Sequence, residues 1–153
     1  MRAAEAMTRE VTSLSPDATV AQAALLMRSS GHGTLAVVDP EGGLLGTISK
    51  AGLVRLCLPK YLEEVGDLYR SGEFRPFQDK VTEVGLLPVR EVMEAEPPTV
   101  SPDTPLAEVA AIMVMQNARQ LPVVSEGRLV GIIGMQDIID KIAWPEPGGH
   151  EET

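Results

Sequence analysis

Apolar positions along the first third of the chain follow two rhythms. Val20, Ala23, Ala24 and Met27 fall at helical spacing, Gly31 supplies a stop, and Thr19 with Gln22 three residues on gives a capping-box start. Two short apolar runs come next, Leu35-Ala36-Val37-Val38 and Leu44-Leu45-Gly46-Thr47-Ile48. Pro40-Glu41-Gly42-Gly43 between them has turn chemistry, so the pattern predicts a hairpin. An extended piece, Val11-Thr12-Ser13-Leu14, and a Ser15-Pro16-Asp17 turn precede the helix, and residues 50–58 predict a second one. The predicted order is β-α-β-β-α.

The same order occurs again. Ser101-Pro102-Asp103 repeats Ser15-Pro16-Asp17 at an offset of 101 − 15 = 86, and Met7 meets Met93, Met27 meets Met113, and Leu35 meets Leu121 at that spacing. Gly46-Thr47-Ile48 aligns with Gly131-Ile132-Ile133 at 131 − 46 = 85, which places a one-residue deletion in the hairpin turn, where deletions are tolerated. The second copy runs through Pro98-Thr99-Val100, a helix with Thr104 as cap and Pro105 as first helical residue, a Leu121-Pro122-Val123-Val124 hairpin, and a helix over residues 136–143. The expected organisation is repeat 1 over residues 1–58, a connector with short helices over 59–91, repeat 2 over 92–144, and a frayed tail over 145–153. One copy cannot cover both faces of its sheet. The expected fold class is therefore α/β of the α+β kind, two β-α-β-β-α repeats packed sheet to sheet about a pseudo-twofold axis. Equivalent clefts between the copies are the natural place for a small molecule.

Charge and composition narrow the function. Thirteen basic against 22 acidic residues give a net charge of −9, which opposes nucleic acid, although local cations such as Lys50 and Arg119 can still hold a small anion. The lone Cys57 excludes an internal disulfide or CxxC metal site and reads as a small buried hydrophobe. No apolar run has signal-peptide or membrane-span character, so a cytoplasmic chain without membrane contact is expected. The histidines are His32 and His150, and no HExxH, GxSxG or Walker-type loop occurs, so neither catalysis nor metal binding is expected. The connector holds Tyr61, Tyr69, Phe74 and Phe77, every aromatic except Trp144. They read either as cover for the protein's own core or as a subunit or partner contact.

Over residues 5–144 the chain resembles the cystathionine-β-synthase (CBS) domain pair found in IMP dehydrogenase and the gamma subunit of AMP-activated protein kinase. The resemblance rests on Met7 and Met93 near the starts, Ser-Pro-Asp leading each first helix, Leu121-Pro122-Val123-Val124, and the Gly-hydrophobic-Ile stretches leading each second helix. Ligand-binding members carry Gly-h-h-(Ser/Thr)-x-x-Asp there, the hydroxyl and helix start facing a phosphate and the Asp taking the ribose hydroxyls. Each motif is half intact in this chain: Gly46-Thr47-Ile48-Ser49-Lys50-Ala51-Gly52 keeps the hydroxyl, and Gly131-Ile132-Ile133-Gly134-Met135-Gln136-Asp137 keeps the acid. The resemblance implies one composite cleft joining Ile132, Gly134, Gln136 and Asp137 with Thr12, His32, Gly33 and Thr34, the better nucleoside candidate. A second would join Thr47, Ser49, Lys50 and Gly52 with Thr99, Ala118, Arg119 and Gln120, suited to phosphate. Each residue also has a plainer reading: Asp137 as a helix cap, His32 as a turn residue, Arg119 as a surface ion-pair partner, and Ser49 and Thr34 as local backbone acceptors. The implied function is a regulatory, non-catalytic module that binds AMP, ADP or ATP, with S-adenosylmethionine and NADH as further ligands. It would act as a homodimer on an unidentified regulated protein. The alternative is a structural or interaction module that has lost its ligand.

Overall fold

The computed structural model describes residues 1–58 and 75–147, with Arg75 and Pro76 described as backbone only. Tyr61, Tyr69 and Phe74 of the aromatic connector, and the end of the tail with His150, lie outside the described residues. The chain forms two compact units. One comprises Val11–Pro97 with Glu126–Leu129, and the other comprises Met1–Glu10, Pro98–Ser125 and Val130–Thr153.

The first unit is built on repeat 1. Its elements are β1 (Ser13–Leu14), α2 (Val20–Ser30), β2 (Thr34–Val38), β3 (Leu44–Ser49), α3 (Lys50–Cys57), α4 (Arg75–Gly85), a 3-10 turn (Val89–Glu91) and β4 (Glu94–Ala95). Helix α2 starts as its sequence dictates: Thr19 Oγ1 accepts the Gln22 N–H at 3.2 Å, Gln22 Oε1 accepts the Thr19 N–H at 2.8 Å, and Gly31 ends the helix at φ +75°. The sheet runs β1-β2-β3-β4, with β1 parallel to β2 and the other pairs antiparallel. The described part of the connector covers this unit's core. Val84 of α4 and Val89 are buried with Leu14, Val20, Ala23, Met27, Leu35, Val37, Ile48 and Leu53.

The second unit is built on repeat 2, with α1 (Ala3–Ala6), α5 (Leu106–Met115), β5 (Gln120–Ser125), β6 (Arg128–Gly134) and α6 (Met135–Lys141). Its core repeats the other position for position: Val100 stands for Leu14, Leu106 for Val20, Val109 for Ala23, Met113 for Met27, Leu121 for Leu35, Val123 for Val37, Ile133 for Ile48 and Ile138 for Leu53. Ala3 stands for Val89. The compact units thus divide the chain differently from the sequence repeats. The opening segment of repeat 1, residues 1–10, belongs with repeat 2, and the opening segment of repeat 2, through Pro97, belongs with repeat 1.

Two local expectations are corrected. The three-stranded sheet expected in repeat 2 is a two-stranded β5–β6 hairpin whose outer pairings shrink to single bridges, Val100 with Val123 and Thr8 with Ile132. Pro122 stands where Ala36 pairs with Ser13 in repeat 1, and a proline lacks the N–H that a second parallel rung needs. Thr104 does not cap α5. Its hydroxyl turns back to accept the Ser101 N–H at 3.0 Å, and the helix begins at Leu106 after Pro105.

Candidate functional site

Each repeat brings its own strand entrance and its own helix start together, so the residues of each expected cleft fall in two different units. In repeat 1, His32, Gly33 and Thr34 lead into β2, Thr34 pairs in register with Ser49, and the Lys50 N–H donates to the Gly33 carbonyl at 2.9 Å. Repeat 2 makes the equivalent bond, from the Met135 N–H to the Arg119 carbonyl at 3.1 Å. Each unit therefore joins the strand entrance and helix start of the same repeat. Thr12, His32, Gly33 and Thr34 lie in one unit with Thr47, Ser49, Lys50 and Gly52. Thr99, Ala118, Arg119 and Gln120 lie in the other with Ile132, Gly134, Gln136 and Asp137.

The half-intact motifs have a local physical meaning. Ser49 caps α3 by accepting the Gly52 N–H on Oγ at 3.0 Å, whereas Gly52 has no side chain to return the bond. Asp137 reaches back from the first turn of α6 and accepts the Gly134 N–H on Oδ2 at 2.7 Å, whereas Gly134 has no hydroxyl. Ser/Thr-x-x-Asp has capping-box spacing, and the two repeats hold complementary halves of that box. The capping reading of Ser49 and Asp137 is thus observed. The Asp137 carboxylate retains lone pairs beyond the one that takes the Gly134 N–H.

Other candidates are placed as follows. Lys50 and Arg119 are exposed, His32 is half-buried with its backbone N–H donating to Ser30 Oγ at 3.2 Å, and Gln136 donates to Asp140 at 2.8 Å. Ile132 is buried, its backbone exchanging hydrogen bonds with Thr8 at 2.8 and 2.9 Å. Thr47, Ser49 and Gly52 line an open groove of about 940 Å³ within the repeat-1 unit, with Arg55, Lys80, Met93 and Glu94 on its other walls. Lys80 was missed from sequence because α4 carries it in from the connector, a placement no local motif announces.

Cys57 is half-buried at the end of α3, and that burial pushes its thiol pKa up. The thiolate is the reactive form. Iodoacetamide at neutral pH is therefore expected to label Cys57 more slowly than free cysteine, the rate climbing only above the ordinary thiol range. Labelling at or above the free-cysteine rate would contradict this. Among the described residues no cluster of His, Cys, Asp and Glu could hold a metal ion, and no helix is long and apolar enough to cross a membrane.

Two copies of one small α+β unit, each with a glycine-marked helix start tethered to a strand entrance, define a tandem-repeat module. The chain belongs to the CBS-domain family, which matches residues 3–58 and 89–143. It is 33% identical to the uncharacterized protein MJ1404 of Methanocaldococcus jannaschii over 95% of this chain and 33% of that protein. The chain thus spans about a third of that relative's length. Among solved structures it is similar to MJ1225 of the same organism, described as a candidate archaeal homolog of g-AMPK, with TM-score 0.75 and 28% identity over 91% of this chain and 46% of that one. It also shares its fold with CBSX2, an Arabidopsis thaliana CBS-pair protein, in complex with AMP. That match has TM-score 0.70 and 23% identity over 91% of this chain and 93% of the other.

Proposed function

We propose that this CBS-pair module is a non-catalytic regulatory protein that binds an adenine nucleotide and acts through a ligand-dependent change of conformation. The observation that carries the reading is the repeated junction: in each repeat one backbone bond holds the strand entrance against the helix start, so polar side chains and peptide groups converge at the same place twice. Asp137 supplies an acceptor for a ribose, and Lys50 and Arg119 supply local charge for phosphate, which a chain of net charge −9 needs because its long-range field repels anions. The AMP complex of CBSX2 and the g-AMPK-like description of MJ1225 support adenine nucleotides as the class. A cytoplasmic homodimer belongs to the same reading. Exposed Val54, Met135, Ile139, Ile142 and Trp144 offer apolar surface for a second copy or a regulated partner.

A second reading, an interaction module without a ligand, is favoured by one observation. Ser49 and Asp137 already have structural work as halves of a capping box. Thermal melting with AMP, ADP, ATP, S-adenosylmethionine and NADH separates the two. A ligand present at about 100 times its Kd stabilises the native state by about 2.7 kcal/mol, which for a chain of this size raises the melting temperature by several degrees. No shift with any of the five at millimolar concentration sinks the sensor reading and leaves the interaction module.

A further inference from the structure

Met93 leads into β4 with its sulfur laid on a glycine of the neighbouring strand. A Cβ at Gly46 would stand 2.7 Å from Met93 Sδ and 3.0 Å from Met93 Cγ, so the thioether fills the space that the glycine leaves open. The arrangement occurs twice, since a Cβ at Gly131 would stand 2.8 Å from Met7 Sδ. Immediately beyond each methionine the backbone pairs with the strand that carries the glycine, Glu94 with Thr47 and Ala95 with Gly46 in one unit, Thr8 with Ile132 in the other. Met93 is half-buried. One side of it packs on the core of the repeat-1 unit, and another forms part of the wall of the open groove of about 940 Å³. A small dissolved oxidant entering that groove meets a thioether there.

We propose that Met93 is an oxidation site for a small hydroperoxide, and that its conversion to the sulfoxide releases β4 from β3. The sulfur lone pair takes one peroxide oxygen: an S–O bond forms, the O–O bond breaks, and the proton on the transferred oxygen passes to the departing one. With hydrogen peroxide the leaving product is water. The sulfur loses two electrons and the peroxide gains them. The product side chain is polar where the thioether was apolar. Its oxygen has no room on the Gly46 side, and turning it to the groove lifts the sulfur off the glycine. Strand β4 spans only Glu94 and Ala95, so little else holds it. The preceding turn stays docked by its own bonds, from the Val89 N–H to the Ala18 carbonyl at 2.7 Å and from the Arg90 N–H to the Pro16 carbonyl at 3.2 Å. This site does not depend on the nucleotide reading.

The test exposes wild type and Met93→Leu to hydrogen peroxide and reads sulfoxide at each methionine by peptide mass spectrometry, beside amide exchange and melting. In wild type Met93 should oxidise after exposed Met115 and well before buried Met27 and Met113. Its oxidation should speed exchange of the residue 94–96 amides about tenfold or more, leave residues 89–92 unchanged, and lower the melting temperature by a few degrees. Methionine sulfoxide reductase with dithiothreitol should restore both quantities, and dithiothreitol alone neither. Met93→Leu fills the site without a sulfur and retains Cys57 and the exposed methionines, so the same treatment should leave its β4 exchange and melting as they were. Reversal by the reductase in wild type keeps the test intact where the leucine variant misfolds. A Met93 that stays reduced as long as Met27 and Met113 overturns the proposal. So does Met93 sulfoxide with unchanged exchange at β4. An equal loss in Met93→Leu also overturns it, because the damage then lies at Cys57 or another methionine.

Discussion

Asp137→Ala is expected to lose both affinity and stability, and Asp137→Asn chiefly affinity. Alanine removes the acceptor of the Gly134 N–H, so the apo protein should lose about 0.5–2 kcal/mol, the scale of an N-terminal cap. Asparagine keeps an oxygen at that position and should hold most of this stability. Both variants lose the ionised acceptor proposed to hold a ribose hydroxyl. For alanine the affinity loss should be about 1.5–3 kcal/mol, about tenfold or more in Kd. Calorimetric titration with AMP beside apo melting curves reads both quantities. Reduced stability with unchanged affinity in Asp137→Ala would confine the residue to its cap.

Gly46→Ala is expected to destabilise the repeat-1 unit more than Gly131→Ala destabilises the other. A Cβ at Gly46 would stand 2.6 Å from the Glu94 carbonyl oxygen and 2.7 Å from Met93 Sδ, and Gly46 is paired with Ala95 of β4. The methionine can turn aside, but the carbonyl belongs to a strand backbone, so β4 must move. Overpacking of this kind costs about 1–3 kcal/mol, and the backbone obstacle places Gly46 toward the upper end. At Gly131 the contacts are Met7 Sδ at 2.8 Å and the Thr8 carbonyl oxygen at 3.0 Å, the same arrangement with more room. Gly33→Ala is the control, since its Cβ would meet only the flexible Lys50 side chain at 3.6 Å. Urea unfolding of the three variants should rank Gly46 worst and Gly33 within about 0.5 kcal/mol of wild type. Equal stability of Gly46→Ala and Gly33→Ala would refute the close approach of residues 93–94 to β3.

The capping box at Thr19, the stop at Gly31, the hairpins and the doubled core were legible in the sequence because each is set by residues within a few positions of one another. Thr19 and Gln22 bond across one helical turn, and the apolar stripe of α2 depends only on its 3.6-residue period. Internal repetition then carried the reading from one half of the chain to the other, so that Met113 and Leu121 could be placed in a core from Met27 and Leu35. The pairing of distant edges was not legible. A strand edge offers the same N–H and C=O groups whatever its sequence, so nothing local told β3 to take Glu94–Ala95 as its neighbour, or Ile132 to take Thr8. The same holds for the candidate site. The sequence by itself determined that two helix starts carry half a motif each. Only the tertiary structure decided that α4 brings Lys80 to the groove beside Ser49, and that the stem of Gln120 lies beside Gly134. Those placements are fixed by what packs against a helix start across the hairpin, where side chains distant in sequence meet.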